Sequence, residues 1–169
     1  QVNKALDELN NYSDDTIYNL SEMARNVGTF TAAGVGLKDS VSSIKGIANL
    51  AAISGSSSEQ ASTAMYQLSQ AIASGTVKLM DWNSVVNAGM GGENFQKQLI
   101  QTAKVHGVNV DQMIKDEGSF RETLQKGWLT SQILTETLGQ YAQAYSADQL
   151  KAMGYTEEQI KQIQDLGAT

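Results

Sequence analysis

The residues of this chain with the most chemistry to offer are its carboxylates and its single histidine, His106. Paired carboxylates cleave glycosidic bonds, and several carboxylates of this chain are adjacent in sequence, among them Asp14–Asp15, Asp116–Glu117 and Glu157–Glu158. Neighbours on a helix point in different directions, so these pairs are poor catalytic dyads. One histidine supplies neither a zinc site nor a Ser-His-Asp triad, and no cysteine is present for thiol chemistry. The sequence therefore predicts no catalytic residue, no metal site and no cofactor.

The glycine-rich run Gly89-Met90-Gly91-Gly92 precedes a predicted helix, which is where phosphates bind helix N-termini. Unlike a phosphate-binding P-loop, the run has no Lys-Ser or Lys-Thr after its last glycine. Glu93 would also occupy the positive end of the following helix and repel an anion. We therefore expect a tight structural turn.

The composition indicates a helical and acidic protein. The chain has 169 residues, of which 41% are hydrophobic, and it contains no proline. Its net charge of -6 is unsuited to neutralising phosphates, so direct nucleic-acid recognition is not expected. The least charged region, residues 46–77, is interrupted by Gly55 and a serine run, so stable membrane insertion of this chain is not expected. Because residue 1 is Gln, we expect the chain to be a piece of a longer protein.

Helical periodicity recurs along the chain and predicts an all-α fold, a compact domain of about seven to nine short helices without a significant sheet. The helix starting at Leu37 is apolar around most of its circumference and should lie at the centre of the core. Asp81 and Thr130 are candidate N-caps, Asp111 can begin a short helix to Glu117, and Ser57 with Gln60 forms a capping box. Further helix starts are predicted at Ser119, Ser146 and Thr156.

The two tryptophans and the histidine are interpreted as structural residues. Trp82 and Trp128 each begin a helical block, and a buried tryptophan with a bonded indole N–H is a commoner role than a partner-binding anchor. The two could pack near each other. His106 precedes Gly107 at the end of a helix, where the helix dipole favours it.

Two blocks of the sequence carry a more specific signal than helical periodicity. They are AMYQLSQAIASGTVKLMDWNSVVNAGMGGENFQKQL (64–99) and FRETLQKGWLTSQILTETL (120–138), and uncommon residues recur in them in fixed order. Both resemble the tape-measure domain of tail tape-measure proteins from long-tailed bacteriophages and prophages. The block SADQLKAMGYTEEQIKQIQDLG (146–167) resembles the segment that often follows that domain.

The resemblance covers roughly residues 40–166 and suggests a division of the chain into three parts. Residues 1–35 would link to a preceding part of the parent chain. Residues 36–145 would form the tape-measure core domain, and residues 146–169 a C-terminal two-helix element packed on or following that core.

The resemblance implies structural work rather than catalysis. Tape-measure proteins set tail length, support tail assembly and leave ahead of DNA during ejection. Their implied partners are tube protein, assembly chaperones and tip proteins, and a small homo-oligomer is a further expectation. The implied location is the virion tail, with the host bacterial cytoplasm during assembly. The candidate interaction or family-motif residues are Asp81, Trp82, Asn83, Asn87, Gly89, Met90, Gly91, Trp128, Leu129 and Thr130.

Chain geometry limits how this segment could serve as a ruler. A continuous helix of this length would span roughly 250 Å at about 1.5 Å per residue. The glycines and capping signals instead divide the chain into short helices with apolar faces that need partners. We therefore expect a globular anchoring or initiation domain that acts through protein–protein contacts.

Two other functions remain open from the sequence. A peptidoglycan-hydrolase-type domain of a phage tail protein is the alternative, and it would need a cleft holding a carboxylate of raised pKa. A membrane binder acting during ejection is the third hypothesis, which the acidic net charge disfavours. The run Leu150–Tyr155 mimics a loop of ubiquitin-associated domains, but a helix–turn–helix packing element is the preferred interpretation.

Overall fold

A computed structural model describes residues 3–5 and 20–142, together with residues 148, 151, 156–158, 160 and 161. The predicted all-α fold of short helices is confirmed, and within residues 20–142 the β-type pairing is limited to an isolated antiparallel bridge between Thr76 and Thr130. The helices of residues 20–142 are α1 (Leu20–Ala32), α2 (Leu37–Ile53), α3 (Ser58–Ser74), α4 (Leu79–Asn87), α5 (Glu93–Val105), α6 (Val110–Glu117), α7 (Phe120–Thr123) and α8 (Ser131–Tyr141). A 3₁₀ turn, Leu124–Lys126, follows α7.

Helix α3 shows how local sequence sets the ends of these elements. The Ser57 hydroxyl accepts from the Gln60 backbone N–H at 3.1 Å, and the Gln60 side chain accepts from the Ser57 N–H at 2.9 Å. This reciprocal pair is the predicted capping box, and it satisfies two N–H groups that the helix leaves free. The helix ends at Gly75, which adopts φ 98°, a left-handed conformation that suits glycine.

Two predicted helix starts are wrong by one to three residues. Helix α4 begins at Leu79, and Asp81 lies inside its first turn, where its carboxylate accepts from the Lys78 backbone N–H at 3.0 Å. Helix α6 begins at Val110, and its cap is Asn109, whose side chain accepts from the Gln112 N–H. Carboxylates favour the whole first turn of a helix, so an aspartate there does not by itself mark the cap.

Helix α2 is the centre of the core, as its sequence predicts. It packs against α1, α3 and α8, and Ile44, Ile47, Ala48 and Ala51 are fully buried. Its most extensive contact is with α8, where the Asn49 side-chain amide donates to the Tyr141 carbonyl at 2.6 Å. Two residues 92 positions apart in sequence are thereby in direct contact.

Some sequence predictions concern residues that lie outside the described part of the chain. These include part of the linking segment 1–35 (residues 1, 2 and 6–19), most of the two C-terminal helices predicted to start at Ser146 and Thr156, and most of the ubiquitin-associated-like run 150–155. Ala5 and Ile160, which the structure does describe, are both buried with the core residues. None of the helices within the described residues is long and apolar enough to cross a membrane.

Candidate functional site

The two sequence blocks that carry the resemblance meet in the folded chain. The connector before α4 runs beside the segment before α8, and the Val77 N–H donates to the Leu129 carbonyl at 2.8 Å. Ser131 extends this contact, since its backbone N–H donates to the Gly75 carbonyl and its hydroxyl to the Ile72 carbonyl, both at 2.9 Å. The two blocks, which are separate in sequence, therefore pack together as one unit.

Five aromatic side chains, from the two blocks and from the end of α8, form a cluster. Trp82 stacks on Phe95 with ring centroids 6.0 Å apart and lies 5.0 Å from Phe120. Phe120 meets Trp128 edge-on at 5.8 Å, and Phe95 meets Tyr141 at 6.0 Å. These are separations at which aromatic pairs add to the stabilisation from burial. Phe120 therefore lies between the two tryptophans and contacts both.

Trp128 is held in this cluster by a hydrogen bond. Its indole N–H donates to the Thr123 hydroxyl at 2.9 Å, and that hydroxyl donates to the Phe120 carbonyl at 2.6 Å. Trp128 is 5% exposed and Thr123 is fully buried. A buried indole N–H needs such a partner, and the arrangement matches the interpretation of Trp128 as a satisfied core residue.

The glycine-rich run forms a tight turn between α4 and α5. Gly89 adopts φ 79°, and the Met90 N–H donates back to the Val85 carbonyl at 3.0 Å, which closes the end of α4. A Cβ on Gly91 would lie 2.6 Å from a Val86 methyl carbon, so only glycine fits there without rearrangement. The Ser56 hydroxyl donates to the Ala88 carbonyl and ties the turn to the chain after α2. These contacts give the run a structural explanation.

The ten candidate interaction residues divide into a buried and an accessible set. Those in the core are Trp82, Met90, Trp128 and Leu129. The exposed or half-buried residues are Asp81, Asn83, Asn87, Gly89, Gly91 and Thr130. Thr130 also caps α8, since its hydroxyl accepts from the Ile133 N–H at 3.3 Å. The family-motif residues therefore include many that hold the fold together, and those open to a partner lie along α4, in the turn that follows it and at the start of α8.

The sequence interpretation missed two exposed apolar side chains on α4. Met80 is 76% exposed and Val86 is 48% exposed, beside Asn83 and Asn87. We call these four residues the α4 surface. The signal was available, because helical spacing from the buried Trp82 and Val85 places Met80 on the opposite side. It went unused because the helix was expected to start after Met80.

The histidine and one of the adjacent carboxylate pairs, Asp116–Glu117, have structural partners. The His106 Nε2 atom lies 2.6 Å from the Glu136 Oε2 atom and links the end of α5 to α8. In the pair Asp116–Glu117, the first carboxylate accepts from the Gln112 amide, whereas the second pairs with Lys126 at 3.1 Å. Adjacent carboxylates thus point to different partners, as helix geometry predicts. No set of three or more potential metal ligands comes together in the part of the chain that the structure describes.

Comparison with known proteins connects this packing unit to a family. A family model described as "Tape measure protein" matches residues 1–166. The match includes both blocks and also residues 1–35, which the blocks do not cover. No curated protein and no solved structure shows significant similarity to the chain. Because the match takes in nearly the whole chain, including both blocks and their aromatic cluster, the chain belongs to the tape measure protein family, whose members are structural proteins of the phage tail that work in contact with other tail proteins.

Proposed function

We propose that this segment is a globular anchoring and initiation domain of a tail tape-measure protein, which acts through protein–protein contacts. Other parts of the parent chain would then supply the length that sets the tail. The specific partners we propose are tube protein, assembly chaperones and tip proteins, met first in the host cytoplasm and then in the virion tail. A homo-oligomer of the parent chain fits the same role.

The contact between Asn49 and Tyr141 is the observation that carries this proposal. The two residues lie 92 positions apart and are joined by a hydrogen bond of 2.6 Å. In one straight helix the same stretch would span roughly 140 Å. Chain folded back in this way adds almost no length along a tail axis, so the segment is suited to holding a position and not to measuring one.

The α4 surface is the docking face that we propose for another tail protein. It is uncharged, and Met80 is a flexible, polarisable side chain of a type enriched at protein interfaces. It also carries Asn83 and Asn87 from the family motif. Trp82 and Val85, on the same helix, are buried in the core. The buried half of the motif would thus position the exposed half.

Placing charges on the α4 surface is expected to block tail assembly without unfolding the domain. The variant Met80→Glu/Asn87→Lys puts a negative charge near the start of α4 and a positive charge at its end, both favourable to the helix dipole. We expect the free energy of unfolding to change by less than about 0.5 kcal/mol. We expect electron microscopy of phage carrying this variant in the parent gene to show few or no complete tails.

The matched control is Tyr66→Glu/Gln70→Lys on α3. Tyr66 is also exposed, at 54%, and its hydroxyl accepts from Gln70 at 2.6 Å. The replacement is an ion pair at helical spacing. Normal tails are expected from this control, and normal tails from the α4 variant as well would contradict the proposed docking face.

A further inference from the structure

A groove of about 490 Å³ lies between the end of α5 and the start of α6, apart from the α4 surface. Ile100, Val108 and Val110 contribute apolar lining, and Lys104 and Lys115 are exposed at its edge. We call it the α5–α6 groove. It combines an apolar lining with two cationic side chains, a combination suited to a ligand that has both apolar and anionic groups.

The two lysines are available to a partner. Neither forms an ion pair with a carboxylate among the described residues, whereas Lys126 nearby is already paired with Glu117 at 3.1 Å. Other polar groups of the groove are occupied within the fold. The Asn109 side chain caps α6 by accepting from the Gln112 N–H, and the Gln112 amide donates to Asp116, both at 3.1 Å.

We infer that the α5–α6 groove binds a short peptide segment of another tail protein in which carboxylates alternate with apolar side chains. The carboxylates would pair with Lys104 and Lys115, while the apolar side chains cover Ile100 and Val108. This inference rests on the proposed docking role of the domain and names the chemistry of one partner.

Charge favours a peptide with a few carboxylates over other anionic partners. The chain carries a net charge of -6, and long-range repulsion grows with the charge of the partner, so DNA or an anionic membrane is repelled more strongly than a peptide with a few carboxylates. Asp111 also lines the groove, so a dense row of phosphates would meet a like charge there. A segment with a few carboxylates and apolar neighbours needs only the local pair of lysines.

The test uses the 169-residue chain and a fluorescein-labelled probe peptide, Glu-Leu-Glu-Leu-Glu, with fluorescence anisotropy as the measurement. Reversing both charges with Lys104→Glu/Lys115→Glu is expected to weaken binding by about tenfold or more. The control Arg25→Glu/Lys38→Glu changes the net charge equally on α1 and α2 and is expected to bind like the original chain. Circular dichroism spectra establish that each variant is folded.

Equal binding by the groove variant and the control would overturn the inference, as would equal binding of the uncharged peptide Gln-Leu-Gln-Leu-Gln. Tighter, Lys104-dependent binding of a DNA oligonucleotide or of phosphatidylglycerol vesicles would overturn it too, since the partner would then not be a peptide. None of these results concerns the tails made by the α4 variant, so failure of this inference and failure of the proposed function are distinguishable.

Discussion

Replacing Gly46 with alanine is expected to cost about 3 kcal/mol of folding free energy, the upper part of the range for overpacked cores. Gly46 is buried where α2 crosses α8, and a Cβ there would overlap the Leu138 carbonyl oxygen and lie 2.6 Å from its carbon. These are backbone atoms, which cannot rotate away as a side chain can. The helices would have to separate, loosening the contacts of Ile47 and Leu138 in the core.

Thermal unfolding followed by circular dichroism measures this effect. For a domain of this size the loss corresponds to a fall in Tm of about 6–12 °C. The control is Gly28→Ala in α1, where an added Cβ meets nothing within 4 Å. That change should stabilise the protein by about 0.5–1 kcal/mol through helix propensity. If the two variants melted at the same temperature, the close packing of α2 on α8 would be refuted.

Truncating Trp82 to alanine is expected to destabilise the fold by about 3–5 kcal/mol. The side chain is 3% exposed and contacts both Phe95 and Phe120, so its removal opens a cavity between α4, α5 and α7. Urea unfolding monitored by circular dichroism gives the loss directly. Trp82→Phe should cost less, because a ring remains in contact with its two neighbours.

The same substitution separates a core role from an interface role. A Trp82→Ala protein with the original stability but defective tail assembly would show that the indole contacts a partner, against its burial here. Tyr66→Ala serves as the comparison for an exposed aromatic residue, and its stability should change by less than about 0.5 kcal/mol.

Local structure was predictable from local sequence because its causes lie within a few residues. The Ser57–Gln60 capping box and the stop at Gly75 involve only groups at the ends of the same helix. The apolar stripe of α2 likewise required a central position whatever its neighbours were. The start of α4 was misplaced because an aspartate stabilises a first turn from several positions.

The packing of the core and of the candidate site was less predictable, because the residues that contact each other there are distant in sequence. Nothing near Gly46 in the sequence indicates that the Leu138 carbonyl will lie against it. The bridging position of Phe120 between the two tryptophans also emerges only from the packing of α4 on α7. Exposure of Met80 follows from the helix register, which depends on one correctly placed N-terminus.

Small-angle X-ray scattering of the 169-residue chain in solution tests the central claim, a folded-back anchoring domain, most directly. A compact chain of this length should give a radius of gyration of about 15 Å. A rod approaching the roughly 250 Å length of a continuous helix would contradict this claim and would indicate that the segment contributes directly to the length of the tail.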